Sequence, residues 1–350
     1  MTSHSNGDSP SVPQFMKGAV VVKLNAELEV KDDIPVPEPA GSEFLIKISA
    51  NSLCNSDLAG IAGYTGSNPP YVPGHEPVGR IVKLGPATPS SFKIGDRVGF
   101  MPGSRVCSSC RSCLLGNHRF CKSRTNFGFS GLFGGFSEYS LVDPMSAVKI
   151  PDALTDEEAA PLLCAGVTAY GAVKKVAQYQ APGTLVNVVG CGGVGHLVIQ
   201  YADKMGFDVQ AFDVAEDKLE LARKCGTKFA LDSSKPEAAE AAEKAVCTIV
   251  VSGVSAAYDF AFKVTSHHGK VIAIGVPHSP TPVNILDLVL RDISLIATNQ
   301  GTKEELFACL QLAAARGIRP VYEKHHIGTI NEGIADMKAG KVVGRYVYNF

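Results

Sequence analysis

The chain has 350 residues, enough for about two domains, and its 45% apolar and 19% charged residues are those of an ordinary globular protein. A net charge of -1 with no outstanding basic run argues against nucleic acid as the main partner. No apolar stretch approaches the length that spans a bilayer, so no membrane partner is expected.

In chain order, Met1 to about Phe15 is polar and lacks the apolar core of a secretory signal. Residues 1–16 read as a disordered tail. From Gly18 to Ser52, strand-like runs such as Ala19–Val22 and Phe44–Ile48 alternate with proline-rich connections. Gly79–Leu84 and Arg97–Phe100 continue the pattern, with turns at Gly85-Pro86 and Gly95-Asp96. Phe136–Val142 and Ala147–Ile150 predict two more strands, and this half reads as an irregular β-rich domain.

The character changes after Pro151. Thr155 and Glu158 form a capping-box pattern that opens a helix. Leu185–Val189 predicts a short buried strand, followed by a glycine turn and a helix over about Val194–Met205. Val209–Phe212, Thr248–Val251 and Val271–Ile274 predict further strands, with a helix over Ala215–Lys224. Strands alternating with helices imply a parallel α/β sheet. An amphipathic helix near Glu304–Ala315 and a strand over Gly344–Asn349 close the chain.

Four cysteines, Cys107, Cys110, Cys113 and Cys121, follow the spacing C-x2-C-x2-C-x7-C. Four thiolates from one short lobe match a closed tetrahedral zinc site, which is structural because no coordination position stays open. A redox or disulfide cluster is the alternative. A zinc–thiolate site implies a reducing, cytoplasmic compartment.

Gly190, Gly192, Gly193, Val194 and Gly195 lie in a G-x-G-x-x-G run between a predicted strand and helix, with Asp213 ending the next strand. In that context the run is a dinucleotide fingerprint. The first glycine makes the turn, the second admits the pyrophosphate and the last packs helix on strand. A carboxylate at Asp213 accepts from ribose hydroxyls and repels a 2′-phosphate, so NAD(H) is expected over NADP(H). A glycine turn that binds nothing is the alternative.

Cys54, His75 and Cys164 are candidates for a second, open zinc site, but 21 and then 89 residues separate them, and spacing alone does not join them. Taken together, Asn51–Asp57, Val72–Gly79, Pro161–Thr168, the four-cysteine lobe, the glycine run and Val343–Val347 occur in the order that resembles the zinc-dependent medium-chain alcohol dehydrogenases, nearest the yeast-type branch. The resemblance covers the chain from about Phe15 to its end. It implies a β-rich GroES-like catalytic domain (residues 17–163 and 303–350, with the zinc lobe at about 101–125) and a Rossmann domain with a doubly wound parallel sheet (residues 164–302).

It also implies Cys54, His75 and Cys164 as ligands of a catalytic zinc, so two zinc ions per chain, with Glu76 behind the metal as a transient ligand. Asp57 would fix the His75 tautomer, and Ser56 would bond the substrate oxygen and start a proton relay. Arg345 would contact the pyrophosphate, Lys218 the adenosine ribose and Thr168 the nicotinamide, with Ile274 and Val276 also at the cofactor. Each of Cys54, Cys164, Glu76, Asp57 and Lys218 has a plainer reading as a packing or surface residue.

Two positions depart from the family pattern. Ala59 stands where a relay histidine is common, and Asn55 where a cationic residue touches pyrophosphate. There is no Trp, and Tyr64, Phe127, Phe129 and Phe133 are candidates to line a wider pocket. The doublets His267-His268 and His325-His326 read as surface or turn residues, and Cys191, Cys225, Cys247 and Cys309 as buried spare thiols. The expected activity is reversible hydride transfer between NAD(H) and an alcohol, aldehyde or ketone, by a homo-oligomer (tetramer or dimer). The alternatives are a specialised reductase of a bulky carbonyl or conjugated substrate, and a non-catalytic NAD-binding structural member.

Overall fold

The structure, a computed structural model, describes residues 12–131 and 133–350. The chain divides into two compact units, one holding the residues up to Leu163 with Lys324–Gly340 and Tyr346–Phe350, the other Cys164–Glu323 with Lys341–Arg345.

In the first unit, β1 (Phe15–Val20) pairs antiparallel with β2 (Glu29–Pro35). The disordered tail expected over residues 1–16 therefore overreaches: Phe15 and Met16 pair with Pro35 and Ile34, and Met16 is buried. The rest of that expectation falls largely on residues 1–11, outside the described residues. β3 (Phe44–Ser52) buries Phe44, Ile46 and Ile48 in a core with residues of β4 (Pro77–Leu84) and β5 (Arg97–Phe100). Cys54 caps α1 (Asn55–Ile61), which follows β3 at once. β3 and β4 run antiparallel with Asn51 opposite Pro77, so the residues just after β3 and just before β4 meet at one sheet end. This register brings Cys54 and His75 together although 21 residues separate them.

The short strands β6 (Gly103–Ser104) and β7 (Thr125–Asn126) pair at the base of the cysteine lobe, which contains α2 (Arg111–Leu114). After β8 (Tyr139–Val142) and β9 (Ala147–Lys149), α3 (Asp156–Pro161) starts at the expected capping box. Thr155 Oγ1 accepts from Glu158 N–H at 3.2 Å, and Glu158 Oε2 accepts from Thr155 N–H at 2.9 Å. A π-helical turn, Leu162–Gly166, continues the helix and carries Cys164.

The second unit contains α4 (Val167–Val176), β10 (Leu185–Val189), α5 (Gly195–Lys204), β11 (Asp208–Asp213), α6 (Glu216–Lys224), β12 (Phe229–Asp232), α7 (Ala238–Ala241) and β13 (Ala245–Val250). It goes on through α8 (Ser255–Val264), β14 (Thr265–Ala273), α9 (Ile285–Arg291), β15 (Ser294–Ala297) and α10 (Lys303–Arg316). The six strands pair in parallel in the order β12-β11-β10-β13-β14-β15. That is the doubly wound Rossmann order, whose direction reverses beside β10. The loop after β10 is the glycine run, so topology and motif agree. α10 packs on α4, with Lys174 Nζ 3.2 Å from Glu305 Oε1. This unit accordingly runs on to Glu323, past the boundary expected at residue 302.

The chain then forms β16 (Tyr322–His326), α11 (Ile330–Lys338) and β17 (Arg345–Asn349). β17 returns to the first sheet, with Val347 opposite Ser52, in the order β16-β17-β3-β4-β5-β9, and β8 pairs with β3. Among the described residues, no helix is long and apolar enough to cross a membrane.

Candidate active site and metal centres

Asp57, the third residue of α1, is buried and organises the first candidate centre. Its carboxylate accepts from Cys54 N–H at 3.0 Å, from Gly74 N–H at 3.2 Å and from His75 Nδ1 at 2.8 Å. A carboxylate can only accept, so His75 carries a proton on Nδ1, and Nε2 is the nitrogen that a metal would take in place of any second proton. His75 Nε2 is buried and has no hydrogen-bond partner. Cys54, His75, Glu76 and Cys164 present ligand atoms that all lie within 4.8 Å of one another. An orphaned imidazole nitrogen facing two thiols and a carboxylate is a donor set that fits zinc.

Burial disfavours a charged His75, but the Asp57 carboxylate and its hydrogen bond, together with Cys54, hold the imidazole pKa well above its usual value. Glu76 is fully buried, with Oε1 3.8 Å from His75 Nε2. Its backbone N–H donates to Asn51 Oδ1 at 3.1 Å. Asn51, also fully buried, was not singled out in the sequence; nothing in its strand marks a partner 25 residues away. Ser56, exposed on the first turn of α1, has its Oγ 3.8 Å from Cys54 Sγ. Ala59 lies three residues on, along the same helix face.

The aromatic candidates separate. Phe129 lies on the His75 ring, with centroids 5.1 Å apart. Phe127 instead packs edge-on against Phe100 in the core at 4.4 Å, and Phe133 packs against that same core. Tyr64 is 78% exposed. Alternation along a glycine-rich loop cannot show which rings turn inward, so the pocket expectation is corrected for Phe127 and Phe133, which pack on the core.

The second candidate centre is the cysteine lobe. Cys107 Sγ lies 4.0 Å from Cys113 Sγ and 3.6 Å from Cys121 Sγ, and Cys110 Sγ lies 3.6 Å from Cys113 Sγ. Zinc–sulfur bonds of about 2.3 Å give a tetrahedron with edges of about 3.8 Å, so these separations fit. The backbone N–H groups of Cys107 and Cys110 donate to the sulfurs of Cys121 and Cys107, at 3.4 and 3.3 Å. Bonds from Ser109 and Cys110 bring the Cys107 thiol down to about 6, readying a thiolate.

The glycine run in the second unit has the shape of an anion cradle. Gly190 has φ +100, and a Cβ there would meet Ser252 N at 2.7 Å. A Cβ on Gly195 would stand 1.9 Å from Gly190 O, so only glycine allows helix and turn to close. Val194 precedes α5 and no side chain caps that helix end; His196 and Leu197 N–H bond to Gly192 O and Val194 O, so what the helix offers a phosphate at the loop is the positive end of its dipole. Asp213 accepts from Cys191, Val214 and Ala215 N–H at 2.7, 2.8 and 3.2 Å, which fixes its carboxylate beside the run. Arg345 is buried, with Cδ 3.0 Å from where a Cβ on Gly193 would sit.

Lys218 and Thr168 are half-buried on α6 and α4. Ile274 donates its N–H to Val250 O at 2.9 Å just past β14, and Val276 is 81% exposed. Of the spare thiols, Cys191, Cys247 and Cys309 are buried and Cys225 half-buried. Of the histidine doublets, His268 is exposed and pairs with Asp292 at 2.8 Å, whereas His325 stacks on Tyr346 at 4.2 Å.

Residues 40–152 match the family described as alcohol dehydrogenase GroES-like domain, and residues 193–315 match the family described as zinc-binding dehydrogenase. An alcohol dehydrogenase of Geobacillus stearothermophilus is 36% identical over 338 residues, 95% of this chain and 99% of that protein. An alcohol dehydrogenase of Moraxella sp. (strain TAE123) is 34% identical over 96% of this chain and 99% of that protein. Among solved structures, the acetophenone reductase from Geotrichum candidum in complex with NAD superposes with a TM-score of 0.87 at 28% identity, over 97% of this chain and 98% of that one. The alcohol dehydrogenase from Aeropyrum pernix superposes with a TM-score of 0.88 at 27% identity, over 95% and 100%. With both halves of the chain matched and full-length relatives above 30% identity, the chain belongs to the medium-chain, zinc-type alcohol dehydrogenase family.

Proposed function

We propose that this protein is a zinc-dependent, NAD(H)-linked alcohol dehydrogenase that interconverts alcohols with aldehydes or ketones. The observation that carries the reading is the buried His75 Nε2, orphaned among Cys54, Glu76 and Cys164. Cys54, His75 and Cys164 would hold the catalytic zinc, with Glu76 as a further carboxylate within reach. When bound, zinc supplies Lewis acidity that favours the alkoxide of an alcohol. Asp57 fixes the His75 tautomer and, through Cys54 N–H, the start of α1. Ser56 Oγ accepts the substrate hydroxyl proton and passes it to solvent from the exposed turn. Cys107, Cys110, Cys113 and Cys121 would hold a second, structural zinc.

NAD(H) would lie along the second unit. Gly192, Gly193 and the open end of α5 meet the pyrophosphate with Arg345, while Asp213 and Lys218 receive the adenosine ribose. Gly190 and Gly195 shape the turn; Thr168, Ile274 and Val276 complete the cofactor contacts. The carboxylate of Asp213 favours NAD(H) over NADP(H).

A second reading, a reductase of bulky carbonyls, is favoured by Ala59, whose methyl cannot relay a proton from Ser56. The likeness to an acetophenone reductase points the same way. We also assign the protein to the cytoplasm, where a four-thiolate site stays reduced, and infer a homo-oligomer. β15 is an open sheet edge, and beside it in sequence α9 exposes Ile285, Leu286, Val289 and Leu290 by 64–73%. Light scattering of the purified protein would show a dimer or tetramer; a monomer would overturn that inference.

The function is tested by NADH oxidation against carbonyls from acetaldehyde to bulky aryl ketones, with NADPH in parallel. Turnover with NADH supports the proposal, and turnover confined to bulky ketones selects the second reading. A zinc-replete enzyme that reduces none of them sinks both.

A further inference from the structure

His196, in the first turn of α5, is fully buried. Its Nδ1 lies 3.0 Å from Gly192 O, and its Nε2 lies 3.1 Å from Val321 N. A carbonyl can only accept and an amide N–H can only donate, so both bonds require one tautomer, neutral with the proton on Nδ1. Val321 O in turn accepts from Arg345 N–H at 2.9 Å. One turn further along α5, Gln200 clamps the same segment: its Nε2 donates to Arg319 O at 2.8 Å and its Oε1 accepts from Arg319 N–H at 3.0 Å. Gly344, at φ +81, lies so close that a Cβ there would meet Val321 O at 2.3 Å. A Cβ on Gly193 would likewise stand 3.0 Å from both Gly344 O and Arg345 Cδ. The chain of contacts is closed: glycine loop, His196, Val321, Arg345, and back to the glycine loop.

We propose that His196 is a positioning residue for the cofactor pyrophosphate, fixing the glycine loop and the Arg345 backbone as one preformed cradle. It touches no ligand itself; it sets the spacing of the two groups that do. The inference rests on the assignment of NAD(H) to this loop. Losing the Nε2 bond takes from Val321 N–H its side-chain acceptor, and losing the Nδ1 bond leaves Gly192 O held only by the His196 backbone N–H at 3.0 Å, so the two walls of the cradle can move apart. The cost falls on ligands that need both walls at once, namely those with a pyrophosphate.

The test compares wild type with His196→Leu, His196→Asn and His196→Gln, using NADH, ADP-ribose and adenosine as ligands. Asparagine places a donor near the Nδ1 position and can keep the Gly192 bond; glutamine places an acceptor near Nε2 and can keep the Val321 bond. Kd for NADH comes from nicotinamide fluorescence, and the other two from calorimetry or NMR. His196→Leu should raise Kd for NADH and ADP-ribose about tenfold, while adenosine binding stays within about twofold. Asparagine and glutamine should each restore part of the loss, and they carry the test if the leucine variant does not fold. In an Arg345→Gln background, His196→Asn should cost little more, because one wall is already gone. NADH affinity unchanged in all three variants, or equal loss for adenosine, would overturn the role of His196. Wild-type protein that binds neither NADH nor ADP-ribose would instead remove the cofactor assignment itself.

Discussion

His75 donates from Nδ1 to the Asp57 carboxylate at 2.8 Å, and the same carboxylate holds Cys54 N–H at 3.0 Å. One buried acid thus sets the orientation of two candidate zinc ligands that are 21 positions apart. Replacing Asp57 with Ala should free the imidazole to flip and unpin the start of α1. Loss of such an outer hydrogen bond typically costs about 10–100-fold in metal affinity or activity. Metal analysis after dialysis, paired with kcat/KM, checks this; full zinc retention and activity would contradict the organising role of Asp57.

The cysteine lobe makes a separate prediction. Cys110→Ser should lower bound zinc by one ion per chain and destabilise the lobe by about 3 kcal/mol, a fall in Tm of roughly 4 °C. The remaining zinc should stay bound at Cys54, His75 and Cys164. Zinc counting with thermal melts separates this from the alternative in which the four thiols are a redox cluster, where zinc content would not change.

Asp213 is held by three backbone N–H groups beside the glycine loop. Asp213→Asn keeps the side-chain size and removes the charge that repels a 2′-phosphate, at the cost of one of the three backbone bonds, because its amide NH2 replaces one accepting oxygen. The ratio of kcat/KM for NADH over NADPH should fall about tenfold, equivalent to 1.4 kcal/mol. An unchanged ratio would place cofactor choice elsewhere.

Acid stability reports on His196. Burial is the largest influence on its imidazole, opposed by the bond to Gly192 and reinforced by the Arg345 charge, and together they bring the pKa down to about 4. The unfolded chain titrates near 6.5. Between those values the unfolded state binds a proton that the folded state refuses, so stability is full above about pH 6.5 and falls as pH drops toward 4. The loss amounts to about 3 kcal/mol. Urea midpoints at pH 7 and pH 5 should differ more for wild type than for His196→Gln. Equal pH dependence would mean that this histidine is not held neutral.

Local chemistry was what the sequence made legible. The capping box at Thr155 and Glu158, the glycine turn and the four close cysteines each act within a few residues, and each stands where expected. Four-residue strands such as β12 and β15 were missed, because they are too short to display a period and bury little. Cys54, His75 and Cys164 could be joined from the sequence only by resemblance, since the β3–β4 register that brings the first two together is not a local property. Asn51 and the Val321 bond of His196 carried no signal: the partners lie 25 and 125 residues away. Phe127 and Phe133 misled for the same reason, because the core they enter is assembled from distant strands.

The central claim is that a zinc held by Cys54, His75 and Cys164 supports hydride transfer from NADH to a carbonyl. It is tested most directly with NADH deuterated at C4, using zinc-loaded wild type and Cys54→Ser, acetaldehyde and an aryl ketone as acceptors, and mass spectrometry of the alcohol. The account predicts deuterium on the carbinol carbon with wild type, and none with Cys54→Ser although that variant still binds NADH. Zinc-loaded wild type that binds NADH and delivers no deuterium to either acceptor, or a Cys54→Ser enzyme that delivers it at the wild-type rate, would contradict it.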